Sequence, residues 1–406
     1  MSDKKFIRDS VHGNLPMTEF ERKLIDYPQI QRLRRLKQLG FISLIYPGAN
    51  HSRFEHSIGT MHLASQLADH LDLNQEDKEL VRVSGLLHDA GHGPFSHVSE
   101  AVLEVPHEEI TSYVIKNTEI SDKLNEKFNL NDITDIIHGK GKFGPIISGE
   151  LDVDRMDYLI RDSHYTGVAY GVIDTQRLIS NLKLDKYLVL DIKGVQAAES
   201  LLVARYFMYP SVYQHHTTRI INAMFRRCMR HLIKDYGLNT NEMYKYDDSD
   251  MVNLCRNSEG YPKEIMNRLD NRHLLKTAYT VDVKEFKHPE EVFKIPKENL
   301  RKAEEEISED YGVNLDDIIV NITDYPRFDE MKTQVSLNDK LFHLNEISSI
   351  VGALSDARFN FPDISIYVPK EHRNKFDKFK IEHYLDLPER EKHFETITFD
   401  QSRLTE

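Results

Sequence analysis

Two imidazoles and two carboxylates, His56, His88, Asp89 and Asp154, are the residues of this chain best suited to chemistry. They are scattered between positions 56 and 154, so only folding brings them together. Adjacent His-Asp is a weak signal alone. Here it ends an apolar helical run, 80–87, and enters Ala90-Gly91-His92-Gly93-Pro94-Phe95-Ser96-His97. The glycines and Pro94 stop the helix, so His92 and His97 project from a tight turn beside the pair. Neutral imidazole and carboxylate suit Zn, Mn, Fe or similar ions rather than soft metals. Incomplete protein coordination leaves room for water, which a catalytic site needs.

Further groups repeat along helical faces. Asp154, Tyr158 and Asp162 stand at i, i+4 and i+8 with Arg155 beside them. A carboxylate at one end could hold metal while the tyrosine and arginine reach along a phosphate chain. Asp152 is the alternative to Asp154, and the shared face favours Asp154. Arg205, Tyr209 and Tyr213 repeat the spacing, followed by Gln214; arginine grips phosphate oxygens in a bidentate fork, and tyrosine offers a ring and a hydroxyl. His92, His97 and His107 are acid-base candidates near neutral pH, with Glu100 and Glu108 close to them. Plainer readings stand beside these: core histidines, a buried tyrosine stripe, and turn-bridging imidazoles.

Composition bounds the possibilities. A chain of 406 residues exceeds what one core usually serves, which predicts two lobes. Forty per cent apolar residues exclude a disordered or collagen-like chain. No apolar run is long enough to span a bilayer, and the first residues carry no secretory h-region. Cys228 and Cys255 are the only cysteines, without a CxxC motif, which fits a reducing cytoplasm. A net charge of −13 argues against strong nonspecific nucleic-acid binding. Two basic clusters, 22–37 and Arg219 to Lys234, read as solvated helix faces unless a ligand claims them.

The elements that must position these residues are mostly helical. Helices are expected over 18–39 in two segments (Pro28 opening the second, Asp26 capping it), 54–71, 76–89, 107–117, 150–162 and 196–236 with an interruption at Pro210. A hairpin is expected near 187–193. Beyond 240 the pattern is mixed: strands over 276–286, 316–323 and 364–368, helices over 289–311 and 341–355. The expectation is a mainly α fold, with a helical core over 1–240 and a smaller α+β lobe over 241–406 that serves packing and oligomer contacts. No repeats or low-complexity tracts occur.

The stretches His51-Ser52-Arg53-Phe54-Glu55-His56-Ser57, Leu87 to His97, and Asp152-Val153-Asp154-Arg155-Met156-Asp157-Tyr158 follow one another in the order H…HD…D. This resembles the HD-domain phosphohydrolases, and among them the dNTP triphosphohydrolase branch with SAMHD-type and dGTPase-like enzymes. The likeness runs from about Lys5 to about Arg219. It implies His56, His88, Asp89 and Asp154 as ligands of a divalent ion (Mn, Fe, Zn, Ni, Co or Mg). It implies Arg155 and Tyr158 as phosphate contacts, Asp162 as a sugar contact, and Arg205 on the terminal phosphate. Tyr213 would pack on the sugar, and Tyr209 stands where some relatives have histidine. Gln38, Leu39 and Arg53 would complete the pocket, with Leu39 and Tyr213 crowding a 2′-hydroxyl. Relatives carry lysine at the Arg155 position and aspartate at the Glu100 position. Lys5, Phe6, Asp26, Gln31 and Arg34 match a regulatory site for GTP or dGTP, with Gln31, Arg34 and Gln38 on one helix face. Such sites lie between subunits, which implies a homotetramer or dimer. The implied reaction turns a dNTP and water into a deoxynucleoside and inorganic triphosphate. The alternatives are an HD phosphohydrolase acting on monophosphates, cyclic nucleotides or nucleic-acid ends, and a non-catalytic nucleotide sensor.

Overall fold

The computed structural model describes residues 5–325 and 333–391. The chain opens with a hairpin, β1 (Lys5–Asp9) and β2 (Gly13–Met17), then α1 (Glu19–Ile25), α2 (Pro28–Arg32), α3 (Arg53–His70), α4 (Gln75–Leu87), α5 (His97–Leu103) and α6 (His107–Asn117). Next come α7 (Ile120–Asn125), α8 (Leu130–Ile137), α9 (Gly144–Ile147), α10 (Val153–Thr166) and α11 (Thr175–Ile179). The short strands β3 (Leu182–Leu184) and β4 (Leu188–Asp191) lead into α12 (Val195–Met208), α13 (His216–Tyr236), α14 (Asp248–Asn257) and α15 (Tyr261–Asp270). The mixed remainder holds β5 (Lys276–Asp282), α16 (Pro289–Val292), α17 (Lys297–Tyr311), β6 (Ile319–Ile322), β7 (Gln334–Leu337), β8 (Lys340–His343), α18 (Leu344–Ile347), α19 (Ser349–Asp356) and β9 (Asp363–Val368). The expected class, mainly α with a smaller α+β part, is what the chain adopts.

The division into units differs from the expected cut near 240. One compact unit is Met1–Leu274 with Phe328–Asp356; the other is Leu275–Arg327 with Ala357–Glu406. Two physical ties explain the shift. The buried sulfurs of Cys228 on α13 and Cys255 on α14 lie 3.3 Å apart as free thiols, so the helices after 240 pack on those before it. Strand β7 then returns to pair in parallel with β4, through Leu190 and Val335.

In the first unit, helices begin where side chains satisfy their free N–H groups. Ser52 and Glu55 form a capping box on α3, Asn74 caps α4, and Asp152 caps α10. Their apolar stripes meet in a core that includes Leu15, Leu24, Ile30, Leu33, Ile58, Met61, Leu86 and Ile115. Burial of each such side chain contributes roughly 1.5–3 kcal/mol, which holds α3 and α4 as the floor beneath the polar residues.

The second unit is built on the antiparallel sheet β5-β9-β6, with Val320 opposite Ile366 and Val281 opposite Ile364. Helix α17 covers it through Ala303 and Ile307.

Several expected elements are subdivided. The helix over 18–39 becomes α1, α2 and a 3₁₀ turn, Leu33–Arg35; Asp26 closes α1 rather than capping α2. Leu36 is already extended, so Gln31, Arg34 and Gln38 do not share a helix face. The helix over 196–236 is split by a π-helical turn, Tyr209–Tyr213, around Pro210. The helix over 341–355 starts as strand β8. The helix over 289–311 is broken at Pro296, whose ring cannot continue the preceding turn. Among the described residues no helix is long and apolar enough to cross a membrane.

Candidate metal centre

Helix α3 presents His56, the end of α4 presents His88 and then Asp89, and the first turn of α10 presents Asp154. His56 Nε2 lies 2.9 Å from Asp154 Oδ1, and His88 Nε2 lies 3.6 Å from the same oxygen. One ligand atom from each of these three residues falls within 4.8 Å of the others. Asp89 joins them: its Oδ1 is 3.3 Å from His88 Nε2 and its Oδ2 is 3.7 Å from His56 Nε2. The four residues thus converge. Asp152 does not; its carboxylate accepts from the backbone N–H groups of Gly149 and Arg155 and caps α10.

The donor set fits a divalent cation. His88 donates Nδ1–H to the Gly85 carbonyl at 2.8 Å, which leaves Nε2 as the free lone pair. That atom is buried and makes no hydrogen bond, although carboxylate oxygens surround it. Buried polar atoms rarely go unpaired, and a cation shared with those oxygens would satisfy this one. The electrostatics agree. Burial disfavours charge on His56, yet hydrogen bonds to Asp154 and Asp157 push its pKa up to about 10. Burial likewise opposes charge on Asp154 and Asp89, but His56 and His88 hold the first below the usual carboxylate range, and His88, Arg53 and His92 hold the second there. The carboxylates draw positive charge to one point: a proton when no ion is present, a divalent ion when one binds and releases that proton.

A second histidine group also converges on Asp89. His92 Nε2 and His107 Nε2 are 3.4 and 3.8 Å from Asp89 Oδ1, and their rings stack at 3.8 Å. Burial, Arg53 and His107 keep His92 far below its ordinary value, hence neutral. His107 is raised: burial opposes it, but Glu100 and Asp89 favour its cation. Glu100 receives His107 and His97, and these contacts overcome burial to hold it well below the carboxylate range. His97 itself is exposed, 76 % by side chain, so it stands apart from the buried pair.

The turn carrying these histidines is held under strain. Phe95 and Ser96 both have positive φ, +55° and +52°, which costs non-glycine residues about 1–3 kcal/mol each. Asp248 Oδ1 accepts the Phe95 N–H at 2.7 Å, while its Oδ2 takes the Lys37 N–H at 2.8 Å. Arg53 donates to Ser96 Oγ at 2.6 Å and to Asp89. Arg32, buried beneath, donates to the His92 carbonyl at 2.6 Å.

The expected substrate residues gather only in part. Tyr158 and Tyr213 are edge to face at 6.1 Å, and the Tyr213 hydroxyl donates to Asp162 Oδ2 at 2.8 Å. Burial raises both phenols, Tyr213 further through Asp162. Arg205 is close enough to influence both rings. Arg53 is 2 % exposed and spends donors on Asp89 and Ser96, and Arg155 donates to the Gly149 carbonyl. Gln38 keeps a buried amide oxygen without a hydrogen bond, next to Leu39, which opens a 3₁₀ turn. Tyr209 opens the π turn, and its carbonyl accepts the Gln214 N–H at 2.7 Å.

The expected regulatory residues fall on two elements. Lys5 and Phe6 lie on β1, with Phe6 exposed; Asp26, Gln31 and Arg34 surround α2. Gln31 bonds the Ile25 carbonyl, Arg34 bonds Gln31 and lies 3.6 Å over the Phe54 ring.

Sequence reasoning missed the shell behind the metal residues. His56 Nδ1 lies 2.8 Å from Asp157, His51 lies 2.8 Å from Asp162, and Asp9, His12, Arg161 and Asp248 complete the set. The signals were slight: Asp157 and Arg161 at i, i+4, and Gly59 within a helix otherwise rich in larger residues.

Comparison with known proteins places the geometry in a family. An HD-domain model matches residues 53–162, and a model of the HD-associated region matches 173–396. An uncharacterized protein of Methanocaldococcus jannaschii is 37% identical over 374 residues, 90% of this chain and 80% of its own. A deoxynucleoside triphosphate triphosphohydrolase SAMHD1 homolog of Dictyostelium discoideum is 35% identical over 246 residues, 54% of this chain; the match spans about half of that relative's length, 48%. The crystal structure of a phosphohydrolase from Bacteroides thetaiotaomicron aligns with TM-score 0.72 at 25% identity, covering 90% of this chain and 100% of its own. With its motifs, its fold and these relatives in agreement, the chain belongs to the HD-domain phosphohydrolases, on the branch that includes the SAMHD1 homologues.

Proposed function

We propose that the chain is a metal-dependent deoxynucleoside triphosphate triphosphohydrolase. The convergence of His56, His88 and Asp154 around a buried, unpaired His88 Nε2, with Asp89 beside them, carries this reading. These four residues would hold one divalent ion, which when bound supplies Lewis acidity and lowers the pKa of water. The relatives named as triphosphohydrolases support the choice of substrate.

The reaction adds a water oxygen to the α-phosphorus and breaks its bond to the nucleoside 5′-oxygen, which leaves with a proton. His92, kept neutral and weakly basic by burial, Arg53 and His107, would hold Asp89 and the stacked His107 ring in place. His107, favoured as its cation by Glu100, is suited to give a proton. His97, exposed beside Glu100, is a further donor from the same turn. Arg155 and Arg205 would offset triphosphate charge by preorganised attraction, with Arg53 acting through Asp89. Tyr158, Tyr213 and Asp162 form one hydrogen-bonded and ring-packed group that would seat the sugar, with Gln38 and Leu39 as its wall and Tyr209 at its edge. A guanine nucleotide bound near Asp26, Gln31 and Arg34, with Lys5 and Phe6, at a site between subunits belongs to the same proposal, as does a homotetramer or dimer.

Incubation with each of the four dNTPs, singly and in mixtures and with several divalent metals, tests the proposal. Deoxynucleoside and inorganic triphosphate are the expected products. Nucleoside monophosphate with pyrophosphate would reject the bond assignment. Turnover confined to monophosphates, cyclic nucleotides or nucleic-acid ends would reject the substrate class.

A further inference from the structure

Behind His56 lies a chain of buried ion pairs that leads out of the HD match altogether. Asp157 accepts from His56 Nδ1 at 2.8 Å and, on its other oxygen, from His12 Nε2 at 2.6 Å. An ionised carboxylate only accepts, so both imidazoles are donors at these atoms. Arg161 grips Asp157 with Nε and NH2 at 2.8 and 2.9 Å, and Asp9 with NH1 at 2.8 Å. Asp9 in turn accepts the backbone N–H groups of Val11 and His12, fixing the β1–β2 turn. Asp157 and Arg161 are fully buried. Their fit depends on Gly59 of α3, where a Cβ would stand 2.0 Å from Asp157 Oδ1 and 2.4 Å from Arg161 NH2. Ser10, in the same turn, meets the Tyr165 hydroxyl at 2.7 Å, and that hydroxyl donates to Glu55 of the α3 capping box. The turn is therefore fastened to α10 directly and to α3 through Tyr165 and Glu55, two of the three helices that carry the candidate metal residues.

With four donors on its two oxygens, Asp157 has no position left for an ion. It faces Nδ1 of His56, the side away from Asp154. A carboxylate there fixes which ring nitrogen carries the proton, orients the imidazole and raises the basicity of Nε2. We infer that Asp157 is a positioning residue for the metal-binding nitrogen of His56, and that the β1–β2 turn, through Asp9 and His12, is an integral part of the metal centre. The inference rests on the metal reading proposed above, and it extends the centre to residues that precede the HD match by more than forty positions.

The test uses the full chain stripped of metal by a chelator and titrated with Mn²⁺ by calorimetry and with Co²⁺ by visible absorption. Asp154→Ala examines the metal reading and is expected to lose tight binding. Asp157→Asn is expected to weaken binding by about 10–100-fold and to shift the Co²⁺ bands, while circular dichroism stays that of the parent protein. His12→Ala is expected to weaken binding in the same direction by less, since Arg161 still holds Asp157. Parent-like affinity and spectrum in Asp157→Asn, alongside a defective Asp154→Ala, would overturn the positioning role and leave the metal reading standing. Parent-like affinity in Asp154→Ala would overturn both. If Asp157→Asn does not fold, His12→Ala decides: weaker binding with a shifted spectrum supports the inference, and unchanged binding overturns it.

Discussion

The two compact units treat buried polarity in opposite ways. In the second unit buried polar residues are few: Glu304 accepts the Val320 N–H, and Thr323 and Ser365 close on Asp363. The rest is aliphatic and aromatic, with Tyr311 stacked on Phe376 at 4.8 Å. In the first unit, Asp9, Asp89, Asp157, Asp162, Arg53 and Arg161 are all buried, and they pair across long stretches of sequence. Unpaired atoms also collect there, His88 Nε2, His92 Nδ1, His51 Nδ1 and Gln38 Oε1. A fold needs only the first arrangement. Charges concentrated around incompletely satisfied imidazoles cost stability and are accounted for by a site.

The sharpest way to break this contrast is Asp89→Asn, which removes the acid shared by both histidine groups. Turnover should fall on the order of 10³-fold or more, with circular dichroism and chromatographic size unchanged; retained turnover would refute a role for Asp89. Ile366→Ala probes the other side. A large-to-small change in this fully buried position of β9 should cost roughly 2–5 kcal/mol in urea unfolding, while metal stoichiometry per folded molecule stays at the parental value. Loss of the ion in that variant would show that the two units are not separable in function.

Smaller effects sharpen the picture. Asp248→Ala leaves the Phe95 and Lys37 N–H groups without their acceptor, at about 1–3 kcal/mol. Turnover should fall about tenfold while metal affinity holds, since a displaced loop misplaces His92 without touching the ion's ligands. Equal losses in both would assign Asp248 to general stability. The smallest effect concerns His62 on α3, which burial, His12 and Arg82 push down to about 4. Its folded pKa lies below the unfolded value, so the unfolded chain binds the extra proton. Its contribution is complete above about pH 6.5 and is lost as pH falls toward 4. Urea midpoints at pH 7.5 and 5 should diverge less in His62→Gln than in the parent; equal divergence would discount this residue.

The candidate metal residues were legible because their order and the glycine-proline stop after His88-Asp89 are local signals. Helix α3 was legible from its period. Legibility ended where function depends on distant pairings. Nothing around Asp9 or His12 announces a contact with Asp157, because an ion pair across some 150 residues leaves no periodic trace. Asp26 looked like a cap for Pro28, but α1 claimed it first. The stripe of Arg205, Tyr209 and Tyr213 rested on α-helical spacing, and the interruption expected at Pro210 takes the form of a π turn, Tyr209–Tyr213, a feature that often accompanies functional sites. The boundary near 240 misled for the same reason, since no linker composition marks where packing stops.

The pair of left-handed residues at Phe95 and Ser96 has a consequence for dissecting the molecule. Their latch, Asp248, arrives more than 150 positions later. A fragment ending at the HD match, or even at residue 240, would retain each candidate metal ligand and still lose the acceptor that keeps the turn coiled. Such a miniature would be expected to load its ion and turn over poorly, so the smallest competent enzyme is set by a backbone angle rather than by the limits of a motif.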